Sequence, residues 1–136
     1  MATGVVGDFK QTRNMVVQAR AMGTDLSSGT CTDSSGDGVI TLNALAGKIT
    51  TVADSAAADA GYSITITNSE VAAEDMAFAS VTLASGTAQS YHIQDILCED
   101  GTLTITIQNG DADTAWSSAV FVVSFFVVKA LTAGQL

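Results

Sequence analysis

The sequence predicts an all-β protein, a single jelly-roll-like antiparallel β-sandwich preceded by an N-terminal arm. Short runs of β-branched and aromatic residues follow one another along the chain, with Gly, Asn, Asp and Ser between most of them. In two runs, "SITIT" and "TLTITI", Thr alternates with Ile or Leu, as in strands with one buried face. The 136 residues, 47% of them hydrophobic, suffice for one domain with a core.

We interpret residues 1–38 as an arm with a connecting loop, and residues 39–136 as the sandwich body. Three of the five basic residues of the chain, Lys10, Arg13 and Arg20, lie in the arm, residues 1–23. The apolar residues of the arm fit a short helix or an extended strand equally well, so both alternatives stay open. Residues 26–38, "LSSGTCTDSSGDG", are rich in residues that favour turns and are predicted to form a loop.

Seven strands are predicted in the body: "VITLN", "GKITTVA", "YSITITN", "MAFASVTL", "QSYHIQDILC", "TLTITIQN" and "AVFVVSFFVVKA". The Asp-Gly pair in "CEDGT" predicts a hairpin between the fifth and the sixth, because a type I′ turn needs positive φ at both central residues. The last strand is apolar on both faces and too short to span a membrane as a helix, which indicates a central strand. One of its faces needs cover from the second sheet or from another molecule.

Charge and cysteine content exclude several classes of protein. The formal net charge of -9 argues against binding to nucleic acid, because phosphate contacts require clustered Lys and Arg. No secretory signal precedes the body, so we expect synthesis in a cytoplasm. In that compartment Cys31 and Cys98 are expected to be reduced, buried thiols rather than a disulfide.

A calcium-like loop is the only ligand motif in the sequence. Asp33, Ser35 and Asp37 occupy alternate positions, as in the first half of an EF-hand loop. The twelfth position, which should be Glu, is Ala44, and a strand follows where a helix is required. An ordinary turn is therefore favoured, and calcium binding stays a hypothesis.

No catalytic constellation is visible, so the chain is not expected to be an enzyme or to need a cofactor. His92 is the only histidine, and alternation along a strand places His92 and Asp95 on opposite faces. The carboxylate pairs Glu74-Asp75 and Glu99-Asp100 are expected to be solvated turn residues. Phosphate loops, dinucleotide fingerprints and nucleophile elbows are absent from the sequence.

The body resembles a recurrent cassette in structural proteins of tailed bacteriophages. The cassette contains "TLNALAGKIT" at residues 41–50, then "GYSITITNSEVAAEDMAFASV", "GTLTITIQN" and a final apolar strand, in that order. The resemblance implies a capsid decoration, or cement, protein: a small jelly-roll-like sandwich, commonly trimeric, that binds the major capsid protein on the outside of the head. It also implies a location on the virion exterior after synthesis in the host cytoplasm.

The arm is the predicted capsid-binding or subunit-binding element, because it combines basic charge with apolar anchors beside an acidic body. The candidate interface residues are Phe9, Lys10, Arg13, Met15, Val16, Val17, Arg20 and Trp116. Trp116 fits a core position under a loop equally well. The alternative function is a head or tail fibre module that recognises host glycans, for which Trp116 and Tyr62 are the plausible stacking residues.

Overall fold

A computed structural model describes residues 27–131, and every regular element in this range is a strand. The strands are β1 (Ser27–Thr30), β2 (Thr32–Ser34), β3 (Asp37–Thr41), β4 (Ala46–Thr50), β5 (Gly61–Thr67), β6 (Met76–Thr87), β7 (Tyr91–Glu99), β8 (Thr102–Asn109) and β9 (Ser117–Val128). All seven predicted strands are confirmed. The described range contains no helix that is long and apolar enough to cross a membrane. The arm lies outside the described residues, and with it the candidates Phe9, Lys10, Arg13, Met15, Val16, Val17 and Arg20.

The strands form two sheets that pack against each other as a β-sandwich. One sheet has the order β1-β4-β9-β6, and the other has the order β2-β3-β5-β8-β7. The nested antiparallel pairs β4/β9 and β5/β8 follow a jelly-roll-like wrapping. The predicted all-β sandwich is confirmed, and most of its strand pairs are antiparallel, but β1 pairs with β4 and β3 with β5 in parallel. Each parallel partner is reached by a crossover rather than by a hairpin.

The stretch predicted as a loop contributes strands instead. Between Ser27 and Gly38 the chain forms β1, β2 and the start of β3, so the sandwich begins before residue 39. Ser35 and Gly36 both have positive φ, 57° and 93°, and they join β2 to β3 in the manner of a type I′ turn. Although Ser, Thr and Gly favour turns, only Ser35 and Gly36 form the turn between β2 and β3.

The predicted hairpin of β7 with β8 is confirmed, and its register runs from Tyr91 opposite Asn109 to Glu99 opposite Thr102. The predicted turn type is wrong. Only Gly101 has positive φ, 79°, so its partner Asp100 does not take the conformation that a type I′ turn requires.

The two similar Thr-rich runs are adjacent strands, since β5 and β8 pair along their length. As predicted, one face of each strand is buried and carries Ile64, Ile66, Leu103, Ile105 and Ile107, whereas the Thr side chains face outward. The asparagine that follows or ends each run is fully buried. The Asn68 side chain accepts a hydrogen bond from the N–H of Ala44 and donates one to its carbonyl. The Asn109 side chain donates to the carbonyls of Ala57 and Thr114. Because β5 and β8 are antiparallel, the two buried amides lie at opposite ends of the sandwich, and each fixes the loops at its own end.

Candidate docking surface

The four-stranded sheet contains no carboxylate. Its strands β1, β4, β6 and β9 hold a single charged residue, Lys48, although the protein has fourteen Asp and Glu residues. The carboxylates of the described range lie on β2, β3, β7 and the loops. We call the outward side of this sheet the acid-free face. In the part of the chain that the structure describes, the strands of this sheet thus contribute no negative side chain to the surface of an acidic protein.

Alternation along β9 places apolar side chains on this face. Phe121, Val123 and Phe125 are buried between the sheets, whereas Val122 and Phe126 point outward and are half-buried. This pattern agrees with the prediction that the last strand has two apolar faces. Opposite β9, the outward residues of β6 include Met76 and Phe78, with 59% and 50% of their surface exposed.

Five side chains at one end of the acid-free face form what we call the apolar patch: Ala46, Met76, Phe78, Phe126 and Val128. Phe78 stacks on Phe126 with ring centroids 5.1 Å apart and an angle of 18° between the planes. An open groove of about 310 Å³ runs between these rings and the outward Ser80 and Ser124. Large exposed aromatic side chains beside a groove are typical of a contact surface rather than of a surface that faces only water.

A buried carboxylate fixes the strand ends that carry the patch. The Asp75 side chain, only 1% exposed, accepts hydrogen bonds from the backbone N–H groups of Ala72 and Ala130 and forms an ion pair with Lys129. Burial opposes ionisation of Asp75, but the bonds from Lys129, Ala130 and Ala72 outweigh it and hold its pKa below the usual range. The expectation of a solvated carboxylate is therefore wrong for Asp75. The ion pair ties the start of β6 to the end of β9.

The aromatic residues considered for binding from the sequence lie in the core. Trp116 is 3% exposed, packs edge-on against Phe121 at 4.8 Å between ring centroids, and donates its indole N–H to the carbonyl of Ser90. It is therefore a core residue under a loop and not part of a contact surface of the folded chain. Tyr62 is 1% exposed, and burial raises the pKa of its hydroxyl. Neither ring can stack on a sugar.

His92 and Asp95 lie on the same face of β7, contrary to the sequence prediction. A bulge between Ile93 and Asp95 shifts the register by one residue, so that His92 lies opposite Gln108 and Asp95 opposite Thr106. Both side chains are exposed on the outer side of the five-stranded sheet. No hydrogen bond joins the two side chains, so the structure does not assemble a dyad from these two described residues.

The calcium-like stretch forms a hairpin. Asp33 accepts a hydrogen bond from the N–H of Gly36, and Asp37 accepts one from the N–H of Ser63, so the two carboxylates fix backbone at different places. Between residues 27 and 131, no three His, Cys, Asp or Glu side chains cluster closely enough to hold a metal ion.

The two cysteines are free thiols that lie toward opposite edges of the sandwich. Cys31 is buried beside β2, and Cys98 is half-buried on the far edge strand β7. Burial raises the pKa of the Cys31 thiol to about 11, so this thiol is protonated at neutral pH and poorly reactive. The expectation of reduced thiols agrees with this arrangement.

Sequence reasoning missed Met76 and Phe78. The strand "MAFASVTL" carries apolar residues at both even and odd positions, as the last strand does, and that signal was available. Its meaning depends on the pairing of β6 with β9, which places two apolar outer faces side by side.

Comparisons of the chain with models of protein families, with curated proteins and with solved structures find no match.

Proposed function

We propose that the protein is a structural virion protein, a capsid decoration or cement protein that binds the outer surface of a tailed-phage head. Its partner is the major capsid protein, and it acts as a homo-oligomer. The observation that carries the proposal is the acid-free face with its apolar patch, which gives a rigid and otherwise acidic sandwich one surface suited to docking. The resemblance of "TLNALAGKIT" and the strands that follow supports the same role.

The electrostatic pattern favours docking through this face. The described range carries only Lys48 and Lys129 against twelve carboxylates, so most of its surface repels an acidic partner. The acid-free face avoids that repulsion, and the patch supplies apolar area. A protein that binds the assembled shell but not its separated subunits stabilises the shell by mass action. Binding free energy is then the whole function, and no chemical step is needed.

The aromatic residues on which the glycan-recognition alternative depended are not accessible to a ligand. Trp116 and Tyr62 are both buried, and the outward rings of Phe78 and Phe126 lie within the strands β6 and β9 rather than on loops. We therefore keep the decoration role as the single proposal.

A central substitution on the acid-free face tests the role. Ser124→Glu places a carboxylate in the groove beside Phe78 and Phe126, and we expect it to weaken binding to emptied phage heads about tenfold or more. The matched control is Thr104→Glu, since Thr104 is also outward, half-buried and on a central strand, but of the opposite sheet. Co-sedimentation with heads that lack the protein measures both. Equal binding by the two variants would contradict docking through this face, and no sedimentation of the wild-type protein would refute the decoration role.

The basic arm is proposed as a second contact with the shell or with a neighbouring subunit. A shortened protein that begins at Thr24 lacks Lys10, Arg13 and Arg20, and we expect it to keep its melting temperature but to bind heads less tightly. The milder variant, Arg13→Glu with Arg20→Glu, should weaken binding and reduce its dependence on salt. Undiminished binding by the shortened protein would show that the arm is not an interface, and unfolding would show that it belongs to the body.

A further inference from the structure

Within residues 27–131 the two sheets present four edge strands, and three of them are protected against pairing with another chain. β1 has four residues and β2 has three, which is too short for stable addition of a strand. β7 carries Asp95 and Glu99 together with the bulge after Ile93. Short length, charge and bulges are the devices by which β-proteins avoid pairing edge to edge.

The fourth edge, β6, has none of these devices over residues 76–83. The strand has twelve residues without a charge or a proline, and its register with β9 is regular up to Leu83, with irregularities only beyond that point. An uncharged, regular and partly apolar edge of this length is unusual in a folded protein, because it offers a template for another strand.

Hydrogen bonds show which groups of β6 face the free edge. The N–H of Leu83 donates to the hydroxyl of Tyr91 and so points away from β9. In an antiparallel pair the direction alternates along the strand, so the N–H and C=O groups of Ala77, Ala79 and Val81 also point to the free edge. The opposite side of the sheet agrees, since the N–H of Val127, the partner of Ala77, donates to Leu45 on the side of β4. Over residues 76–83, the Tyr91 hydroxyl occupies this edge of β6 only at Leu83.

We propose that this edge of β6, residues 76–83, binds a second copy of the chain by pairing with the same edge of its β6, because the other three edges are protected. Two copies of a protein with net charge -9 repel each other over most of their surfaces, and they approach without carboxylates in contact where β6 and the acid-free face lie. Met76 and Phe78 stand on the outward side of the same strand, so strand addition also covers part of the apolar patch. This inference concerns the purified protein alone and does not depend on binding to a phage head.

Two substitutions test the edge without disturbing the core. Ala79→Pro removes an N–H that points to the free edge and leaves the hydrogen bonds to β9 in place. Ser80→Glu adds a carboxylate at an exposed outward position of the same strand. The control is Gln94→Glu, at an exposed position of the protected edge strand β7. Circular dichroism and thermal unfolding verify that each variant is folded.

Light scattering and sedimentation of the full-length protein at micromolar concentration give the mass. We expect an oligomer for the wild type and the control, and self-association weakened about a hundredfold in both β6 variants. Hydrogen exchange gives a second readout: the amides of Ala77, Ala79 and Val81 should lose protection on dilution, whereas those bonded to β9 should not. A monomeric wild type, or folded β6 variants with the oligomeric mass, would overturn the proposal. An oligomer that appears only after removal of residues 1–23 would overturn it in favour of the chain's own arm as the occupant.

Discussion

Replacement of Asn109 by alanine lowers the free energy of unfolding by about 3–4 kcal/mol, as we expect from the loss of several buried hydrogen bonds. The fully buried amide donates to the carbonyls of Ala57 and Thr114 at 3.1 and 2.9 Å, and it accepts from the N–H of Asp111 at 3.0 Å. Alanine leaves these part-buried backbone groups without their side-chain partner, so several hydrogen bonds are lost together. Rearrangement of one loop cannot provide new partners for all three backbone groups, because Ala57 lies in one loop and Asp111 and Thr114 lie in another.

The neighbouring glutamine is the control for this variant. Gln108 faces outward and its side chain donates to one carbonyl, that of Asp59. Water can replace that bond, so Gln108→Ala should cost less than about 1 kcal/mol. Urea unfolding followed by the fluorescence of Trp116 measures both variants. Equal losses at the two positions would show that Asn109 does not hold the loops together.

Replacement of Asp75 by alanine is expected to cost about 2–3 kcal/mol at neutral pH. The change removes the acceptor of two backbone N–H groups and the partner of Lys129, and it releases the start of β6 from the end of β9. The cost is below that of a fully buried ion pair, because the Lys129 side chain is partly exposed and can be solvated. Glu74→Ala is the control, since the exposed Glu74 precedes Asp75 directly and should change stability by less than about 0.5 kcal/mol.

The pH dependence of this difference has a definite sign. The pKa of Asp75 is lower in the folded protein than its usual value, so the unfolded chain binds the proton more readily. The stabilisation is therefore fully present above about pH 4, the usual pKa of an unfolded aspartate, and is lost as the pH falls through the folded value. The difference in the free energy of unfolding between the wild type and Asp75→Ala should be smaller at pH 3 than at pH 7. A difference that stays constant would contradict an ionised Asp75 as the origin of the effect.

The strands could be predicted from the sequence, but the way in which they pair could not. Alternation with a period of two is a local property, so Ile64, Ile66 and Ile105 could be placed on a buried face from their neighbours alone. Pairing is not local. The parallel contacts of β1 with β4 and of β3 with β5 depend on where the chain returns after a crossover, and no spacing of residues encodes that return.

The same difference explains which site residues were missed. A single bulge in β7 moved Asp95 to the face of His92, because one extra residue reverses every later side chain of a strand. The burial of Asp75 depended on Lys129, which is 54 residues away in sequence. The acid-free face could not be predicted from the sequence. The four strands that lack carboxylates are separated along the chain and become neighbours only in the sheet.

The position of β9 has a consequence for synthesis on the ribosome. β9 is the last of the nine described strands, yet it lies in the interior of its sheet between β4 and β6. Until Val128 has left the ribosome, β4 and β6 lack the strand that joins them, and the Ile49 and Val81 side chains lack the neighbour that covers them. Nascent chains therefore expose an incomplete hydrophobic layer until β9 emerges, and this sheet can be completed only then. In such a chain β6 has two unpaired edges, the outer edge of the finished sheet and the edge that β9 later covers.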